Sequence, residues 1–199
     1  MKHPIPGTLV SLVDEDIFKW EIGIIGPPGT IFQGGYFKAL LLFPQDFPFS
    51  PPSFTFTKPL FQYTFILINS PNIYTDGKLC ISILHPPGDD PLSGETAAER
   101  WNPTQTVESI LLSVISLLSD PNLSSPANVD AGVMYRNDYE SFVKIVKDQV
   151  AASLVDKPKD LKIPTCEAEW ISITQMPPVS PASLLEEDHF WEEDSDSSF

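Results

Sequence analysis

The chain has 199 residues, of which 42% are hydrophobic, and a formal net charge of −15. This length and apolar content suit one domain with a buried core. Nucleic acids and anionic lipids attract clustered lysine and arginine, so the negative charge argues against either partner and favours a basic protein partner. The 21 prolines exceed ordinary usage and predict many turns and extended connections.

The two cysteines, Cys80 and Cys166, lie far apart, and no histidines stand near them at zinc-ligand spacing. The sequence therefore predicts neither a structural metal site nor a disulfide framework, and a reducing intracellular compartment is expected. The first residues lack the apolar segment of a signal peptide, and the longest apolar stretch, residues 59–68, is too short to span a bilayer. We expect a soluble chain with no membrane partner.

The first part of the chain predicts an antiparallel sheet. Residues 8–13 and 17–25 are rich in β-branched and aromatic side chains and are separated by the acidic turn DED, which predicts a hairpin. Residues 36–43 and 53–57 predict two further strands, and the turns before them contain prolines. Because each connection is too short for a parallel crossover, the strands are expected to form a meander.

The second part of the chain predicts helices. Residues 106–119 carry apolar side chains at helical spacing, with Thr104 or Thr106 available to cap the start and Pro121 after the end. Residues 131–152 contain a second helical region with an apolar stripe. Strands followed by helices predict an α+β fold in which helices cover the sheet.

The composition changes after residue 157. The stretch up to residue 183 contains prolines and little periodicity, and residues 186–196 contain seven carboxylates. Such a stretch cannot bury a core, so we divide the chain into a core domain, residues 1–157, and a disordered acidic tail, residues 158–199. Solubility alone is the alternative role for these charges.

Eight segments in chain order resemble the ubiquitin-conjugating enzymes: LVDED, GPPGT, GGYFKA, FPFSPPSF, PNIYTDGKLCISILHPPGDD, ERWNPTQTV, ILLSVISLLSDPN and SSPANVDAGVMYR. Within that family the chain is similar to the cullin-partnered Cdc-thirty-four-type subgroup, which has a long insertion after its cysteine and an acidic tail. The resemblance implies the ubiquitin-conjugating (UBC) fold, an α+β fold whose antiparallel meander of about four strands is covered by helices.

Two departures from the family pattern are visible. The family's N-terminal helix has no counterpart in MKHPIPG, which lacks helical periodicity, so this helix is expected to be missing and the core domain to be N-terminally truncated. An atypical apolar insertion near residues 59–69 precedes the active-site turn, in which Ser70 takes the position of the family's histidine. This replacement is expected to weaken the turn.

The resemblance also implies a catalytic cysteine. Cys80 matches the nucleophile that accepts the ubiquitin C-terminus as a thioester from an activating enzyme, after which a substrate lysine attacks the thioester. Asn72 matches the family's active-site asparagine, which stabilises the oxyanion or supports the loop. The positions that the resemblance implies for placing the lysine are Asp89, Asp90, Glu95 and Ser125.

An ordinary structural role is the alternative for several of these residues. A lone cysteine in an apolar segment is often a buried small hydrophobe, and asparagine is favoured in turns for backbone reasons. His85 precedes two prolines and is expected to be a turn residue rather than a catalytic group. The spacing supplies neither the third residue nor the oxyanion site of a Cys–His hydrolase. Cys166 is expected to be incidental.

Partners follow from the same resemblance. Phe49, Asn102, Pro103 and Thr104 match the two loops that face a ubiquitin ligase, and the acidic tail resembles a segment that docks on a basic groove of a cullin. The upstream activating enzyme uses the ATP, so no bound cofactor or metal is expected.

The implied activity is transfer of ubiquitin to substrate lysines with a cullin-RING ligase, in the cytoplasm and nucleus. One alternative is a catalytically impaired UBC-fold variant that only binds ubiquitin or a ligase. An acidic scaffold of unrelated fold would require the motif matches to be accidental.

Overall fold

The computed structural model describes residues 5–57 and 69–173. Its centre is an antiparallel sheet in the order β1-β2-β3-β4. The strands are β1 at Thr8–Val13, β2 at Asp16–Ile25, β3 at Tyr36–Leu42 and β4 at Ser53–Phe56. The order in the sheet is the order along the chain, so the predicted α+β meander is confirmed.

One face of the sheet forms the core. Ile22 and Ile24 occupy alternate positions of β2, on either side of Gly23, and Ala39 and Leu41 occupy alternate positions of β3. Ile22 pairs with Ala39, and Leu41 pairs with Phe54 of β4, so these side chains stack on one face. All five are at most 1% exposed, because helices cover this face.

The described helices are α1 at Val107–Ser119, α2 at Val129–Asn137, α3 at Tyr139–Ser153 and α4 at Glu167–Ser172. The start of α1 is capped by Thr106, whose hydroxyl accepts a hydrogen bond from Ser109 N at 3.2 Å, so Thr106 rather than Thr104 is the cap. Its buried side chains are Ile110, Leu111, Val114 and Leu118. Within the described ranges, no helix combines the length and apolar character needed to cross a bilayer.

The helical region predicted at residues 131–152 consists of two helices. Asp138 separates them: its N–H donates to Met134 O at the end of α2, and its carboxylate accepts from Ser141 N at 3.2 Å at the start of α3. Asp138 is therefore the N-cap of α3, a position that aspartate favours. The apolar stripe of α3 buries Phe142 and Val146.

The packed part of the chain extends past residue 157, where the sequence placed the start of the tail. Residues 158–173 return to the sheet and include α4. Leu161 and Ile173 are buried in a second small cluster with Ile25 and Tyr36, against which Trp170 packs. The remaining residues of the predicted tail, 174–199, lie outside the described residues, as do residues 58–68 of the predicted insertion.

Candidate functional site

Cys80 follows a tight turn that begins at Asn72. Tyr74 N donates to Lys78 O at 2.9 Å, and Cys80 N donates to Asn72 O at 2.9 Å, so the two arms of the turn face each other. Gly77 closes the turn with a φ of 95°, in the left-handed region that glycine adopts without strain. The turn presents Cys80 as a free, half-buried thiol rather than as a core residue.

The Asn72 side chain holds this turn against the segment after α1. It is 2% exposed. Its Nδ2 donates to Asn122 O at 2.8 Å, and its Oδ1 accepts from Asn122 N at 2.8 Å. Ser70 is also buried, and its hydroxyl accepts from Asn72 N at 3.3 Å, so the serine itself contributes to the turn. These bonds brace the loop in this structure, and the predicted role of Asn72 at the oxyanion stays a prediction.

His85 lies against the sulfur of Cys80. A short 3-10 turn, Ser82–Leu84, follows the cysteine and reverses the chain, and His85 N donates to Ser82 O at 2.9 Å. His85 is thus a turn residue, as expected, but its ring also has a polar partner on each side. Nε2 lies 3.7 Å from Cys80 Sγ, and Nδ1 lies 2.8 Å from Glu95 Oε2. This arrangement was not predicted from the sequence.

Glu95 is held in place by three groups. Ser82 Oγ donates to Oε1 at 2.7 Å, His85 Nδ1 contacts Oε2, and the Arg100 guanidinium lies 3.7 Å from Oε2. Burial acts to raise the pKa of Glu95, but the hydrogen bonds from His85 and Ser82 and the charges of His85 and Arg100 outweigh it. The pKa of the carboxyl group therefore lies below its usual range.

Asp89 and Asp90 hold the insertion in shape. Asp89 Oδ1 accepts from Ala97 N at 2.7 Å, and Asp90 Oδ2 lies 3.0 Å from Arg100 Nη1. The Leu92 N–H and then the Arg100 side chain hold the pKa of Asp90 below its usual range. Both carboxylates are therefore engaged within the loop, and their predicted role in lysine placement stays a prediction.

Ser125 is exposed in the loop between α1 and α2. This loop is tied to the active-site turn, because Asn128 N donates to Pro71 O at 2.9 Å. The predicted role of Ser125 in placing a lysine also stays a prediction.

Tyr74 is a further neighbour of the cysteine. Its hydroxyl donates to Cys80 Sγ at 3.8 Å. That hydrogen bond, followed by the charge of the Cys80 thiolate, partial burial and the charge of Asp76, raises the pKa of the Tyr74 phenol. The sulfur therefore has a hydroxyl donor on one side and a ring nitrogen on the other.

The two loops predicted to face a ligase lie next to each other. Trp101 is 1% exposed, and its Nε1 donates to Pro48 O at 2.8 Å, which joins the loop before β4 to the loop before α1. Phe49 is 71% exposed beside this contact. In the other loop, Pro103 and Thr104 are exposed and Asn102 is half-buried, and Asn102 Oδ1 accepts from Thr104 N at 3.0 Å. The structure brings these residues together, and their role in ligase binding stays a prediction.

Across residues 5–57 and 69–173, no group of three or more metal-ligating side chains is arranged to hold a metal ion. The chemistry around Cys80 is that of a thiol, an imidazole, a phenol and carboxylates. These groups suit nucleophilic acyl transfer, in which a thiolate forms a covalent ester and a second nucleophile releases it.

Comparison with known proteins gives this site its context. A family model described as "Ubiquitin-conjugating enzyme" matches residues 1–150. Ubiquitin-conjugating enzyme E2 7 of Arabidopsis thaliana is 51% identical over 153 residues, which cover 76% of this chain and 87% of the relative. Ubiquitin-conjugating enzyme E2 G2 of Homo sapiens is 53% identical over 141 residues, which cover 71% of this chain and 81% of the relative.

A longer relative matches almost the whole chain. Ubiquitin-conjugating enzyme E2-34 kDa of Saccharomyces cerevisiae is 46% identical over 193 residues, or 96% of this chain. The chain spans 62% of the length of that protein. The family match and these identities confirm the resemblance, and with Cys80 in place the chain belongs to the ubiquitin-conjugating enzymes, acyltransferases that act through a cysteine thioester.

Proposed function

We propose that Cys80 accepts ubiquitin as a thioester from the activating enzyme and passes it to substrate lysines in a complex with a cullin-RING ligase. The observation that carries the first part is the presentation of the thiol. Cys80 is half-buried at the end of a braced turn, with Asn72 O holding its N–H and Tyr74 and His85 beside its sulfur. The thiol is therefore held in place by its neighbours and remains partly exposed.

The ligase part of the proposal rests on two features. Phe49 is exposed next to a contact that fixes both predicted ligase loops, Trp101 Nε1 to Pro48 O. Exposed aromatic side chains on a rigid support are common anchors of protein interfaces. The second feature is the charge of residues 186–196, whose carboxylates would attract a basic groove on a cullin and speed association.

The similarity to the yeast enzyme covers 96% of the chain and so includes most of the residues beyond the matched family domain. We propose that no cofactor is bound and that the ATP is used upstream by the activating enzyme. The proposed place of action is the cytoplasm and nucleus, where a reducing environment keeps a catalytic thiol free.

The test of the first part is thioester formation. The purified chain is incubated with activating enzyme, ATP and ubiquitin, and a thiol-sensitive adduct is sought on a non-reducing gel. We expect an adduct with the unaltered chain and with Cys166→Ala, and none with Cys80→Ala. Cys166 is the matched control, because it is the other cysteine and is exposed. An unaltered chain that is folded but forms no adduct would favour a variant that only binds ubiquitin or a ligase.

The test of the second part is transfer with the ligase. We expect a cullin-RING complex to speed discharge of the charged chain to a substrate. Replacing the carboxylates of residues 186–196 by amides should slow association and remove much of its salt dependence. Equal rates at low salt for the amide variant and the unaltered chain would contradict the tail's proposed role.

A further inference from the structure

Lys78 lies two residues before Cys80 and on the same side of the main chain. Leu79 N donates to Phe54 O at 2.9 Å, and Cys80 N donates to Asn72 O at 2.9 Å, so the chain at this point is paired as in a sheet. Side chains of an extended segment point alternately to opposite sides. Leu79 is buried in the core, so the exposed side chain of Lys78 and the half-buried thiol of Cys80 both face outward.

The distance from Lys78 to the sulfur is short enough for a lysine side chain. Two residues of an extended chain advance by about 6.6 Å, and lysine has a flexible four-carbon stem. Tyr74 shows that a long side chain at this level reaches the sulfur. Tyr74 N donates to Lys78 O at 2.9 Å, which places the two residues opposite each other, and the Tyr74 hydroxyl lies 3.8 Å from Cys80 Sγ. The Lys78 stem can therefore bring Nζ to a group that is bonded to the sulfur.

The amine of Lys78 is not held by any other residue that the structure describes. The main-chain N of Lys78 donates to Asp76 Oδ1 at 2.9 Å, but its side chain takes part in none of the described ion pairs. Other lysines are engaged: Lys38 Nζ lies 3.3 Å from Glu21 Oε1, and Lys157 Nζ donates to main-chain oxygens. The Lys78 amine can therefore turn toward the cysteine without breaking a described contact.

From this arrangement we infer that Lys78 is a modification site, which accepts the ubiquitin carried by Cys80 of the same chain. The inference rests on the proposed thioester at Cys80. Ubiquitin joined to Lys78 covers the neighbouring thiol, so the transfer inactivates the chain that performs it.

The transfer is an aminolysis of the thioester and needs no further reactant. The Lys78 ammonium releases one proton to solvent. Its Nζ then bonds to the carbonyl carbon, the bond from that carbon to Sγ breaks, and the electron pair of this bond goes to the sulfur. A second proton leaves Nζ, and the thiolate takes up a proton. The products are an isopeptide amide on Lys78, the free thiol of Cys80 and one proton in solution.

Transfer to Lys78 competes with transfer to a substrate because it needs no encounter between molecules. Two groups joined by a short flexible link meet at an effective concentration in the millimolar range. A lysine of another chain in dilute solution is far below that concentration, whereas a ligase holds a substrate lysine close to the thioester. Lys78 therefore accepts ubiquitin mainly when a charged chain has no ligase-bound substrate.

The experiment is discharge of the charged chain without ligase or substrate. The ubiquitin used has all its lysines replaced by arginine, so that no ubiquitin chain forms. Charging is stopped by removal of ATP, and the thiol-resistant adduct is followed on a reducing gel. We expect its rate constant to be the same at low and at high chain concentration. Trypsin digestion and mass spectrometry should locate the ubiquitin remnant on Lys78.

Two variants isolate the acceptor. Lys78→Arg keeps the positive charge, but a guanidinium stays protonated and cannot accept ubiquitin. It should form the thioester as the unaltered chain does, which shows that it folds, and should form at least about 10-fold less thiol-resistant adduct. Lys144→Arg, at an exposed position of α3, is the matched control and should form the adduct at the unaltered rate.

Recharging tests the inactivation. After discharge the thioester that remains is removed with a reducing agent, the agent is washed out, and the chain is charged again. The unaltered chain should lose charging capacity in proportion to its thiol-resistant adduct, whereas Lys78→Arg should recharge fully. Full recharging of a chain modified at Lys78 would contradict the inactivation.

The outcomes distinguish the inference from the function on which it rests. If the unaltered chain forms no thiol-sensitive adduct, the proposed function fails and transfer to Lys78 with it. If the thioester forms but the ubiquitin remnant lies on other lysines, or Lys78→Arg forms as much thiol-resistant adduct as Lys144→Arg, the function stands and the inference is overturned. A rate constant that rises with chain concentration would show transfer between chains and would also overturn it.

Discussion

The side-chain amide of Asn72 forms two reciprocal hydrogen bonds with the main chain of Asn122, each 2.8 Å long. They join the active-site turn to the segment that follows α1, fifty residues further along the chain. Because the donor and the acceptor of one side chain are both used, the amide acts as a brace between two loops.

Replacing Asn72 by alanine removes both bonds. We expect the free energy of unfolding to fall by about 1 to 3 kcal/mol, since a buried polar contact is lost and its partners are left to solvent. Urea unfolding followed by fluorescence measures this. Ser124→Ala, an exposed neighbour of the same loop, is the control and should change stability by less than about 0.5 kcal/mol. Equal stabilities of the two variants would show that the two hydrogen bonds of Asn72 do not stabilise the fold.

Glu95 should make stability depend on pH. Its pKa in the folded chain lies below its ordinary value of 4.5, so its contacts stabilise the fold fully above that value. The contribution is lost as the pH falls through the lower, folded pKa. The stability difference between the unaltered chain and Glu95→Gln should therefore be fully present at about pH 7 and smaller at a pH below 4.5.

Urea unfolding at both pH values checks this expectation. Asp148→Asn, at an exposed position of α3, is the matched control for loss of one carboxylate. A difference between the unaltered chain and Glu95→Gln that grows as the pH falls would contradict the depressed pKa.

Substitutions at Trp101 and Phe49 should affect different properties: the first should lower stability, and the second should weaken ligase binding. Trp101 is buried and bonded to Pro48 O, so Trp101→Phe leaves that carbonyl without its donor and should cost about 1 to 3 kcal/mol. Phe49 is 71% exposed, so Phe49→Ala should leave stability within about 0.5 kcal/mol but weaken ligase binding. Thermal unfolding and a ligase-binding titration give the two readings. A Phe49→Ala chain that binds the ligase at full strength would remove Phe49 from the interface.

The strands and α1 could be predicted because their signals are local. Alternating side chains and short turns give the meander, and Thr106 stands directly before the apolar helical pattern. The break at Asp138 also has a local signal, because aspartate favours the N-cap position. The apolar residues on either side of it nevertheless suggested one continuous helical region. Local patterns therefore located the elements better than their boundaries.

The contacts that sequence reasoning missed join residues through folded loops. His85 and Glu95 are ten residues apart, and they meet because the insertion closes between Asp90 and Glu95. No periodicity encodes that closure. Trp170 lies 145 residues from its partner, Ile25, in a segment whose prolines and charges resemble a tail. The sequence signal that could have indicated this closure is the set of charged residues Asp90, Glu95 and Arg100. Opposite charges within one loop are candidates for ion pairs, and Arg100 pairs with both carboxylates.

Substitutions at Gly7 and Trp170 test whether residues 158–173 belong to the folded core. Gly7 has a φ of 68°, and a Cβ at this position would collide with the ring of Trp170, whose Nε1 donates to Ile25 O at 3.2 Å. Gly7→Ala should therefore destabilise the chain by at least about 2 kcal/mol, from backbone strain and from displacement of the indole.

A double-mutant cycle isolates the contact. Trp170→Ala removes the ring, so in that background Gly7→Ala should cost only the strain of the left-handed backbone, about 1 to 2 kcal/mol. The two substitutions should then differ from additivity by about 1 kcal/mol, as expected for residues in contact. Gly29→Ala is the matched control, because Gly29 also has a positive φ, of 73°, but nothing lies within 4 Å of its Cβ position. Its cost should be the same in both backgrounds, and additivity for Gly7 as well would place residues 158–173 away from the core.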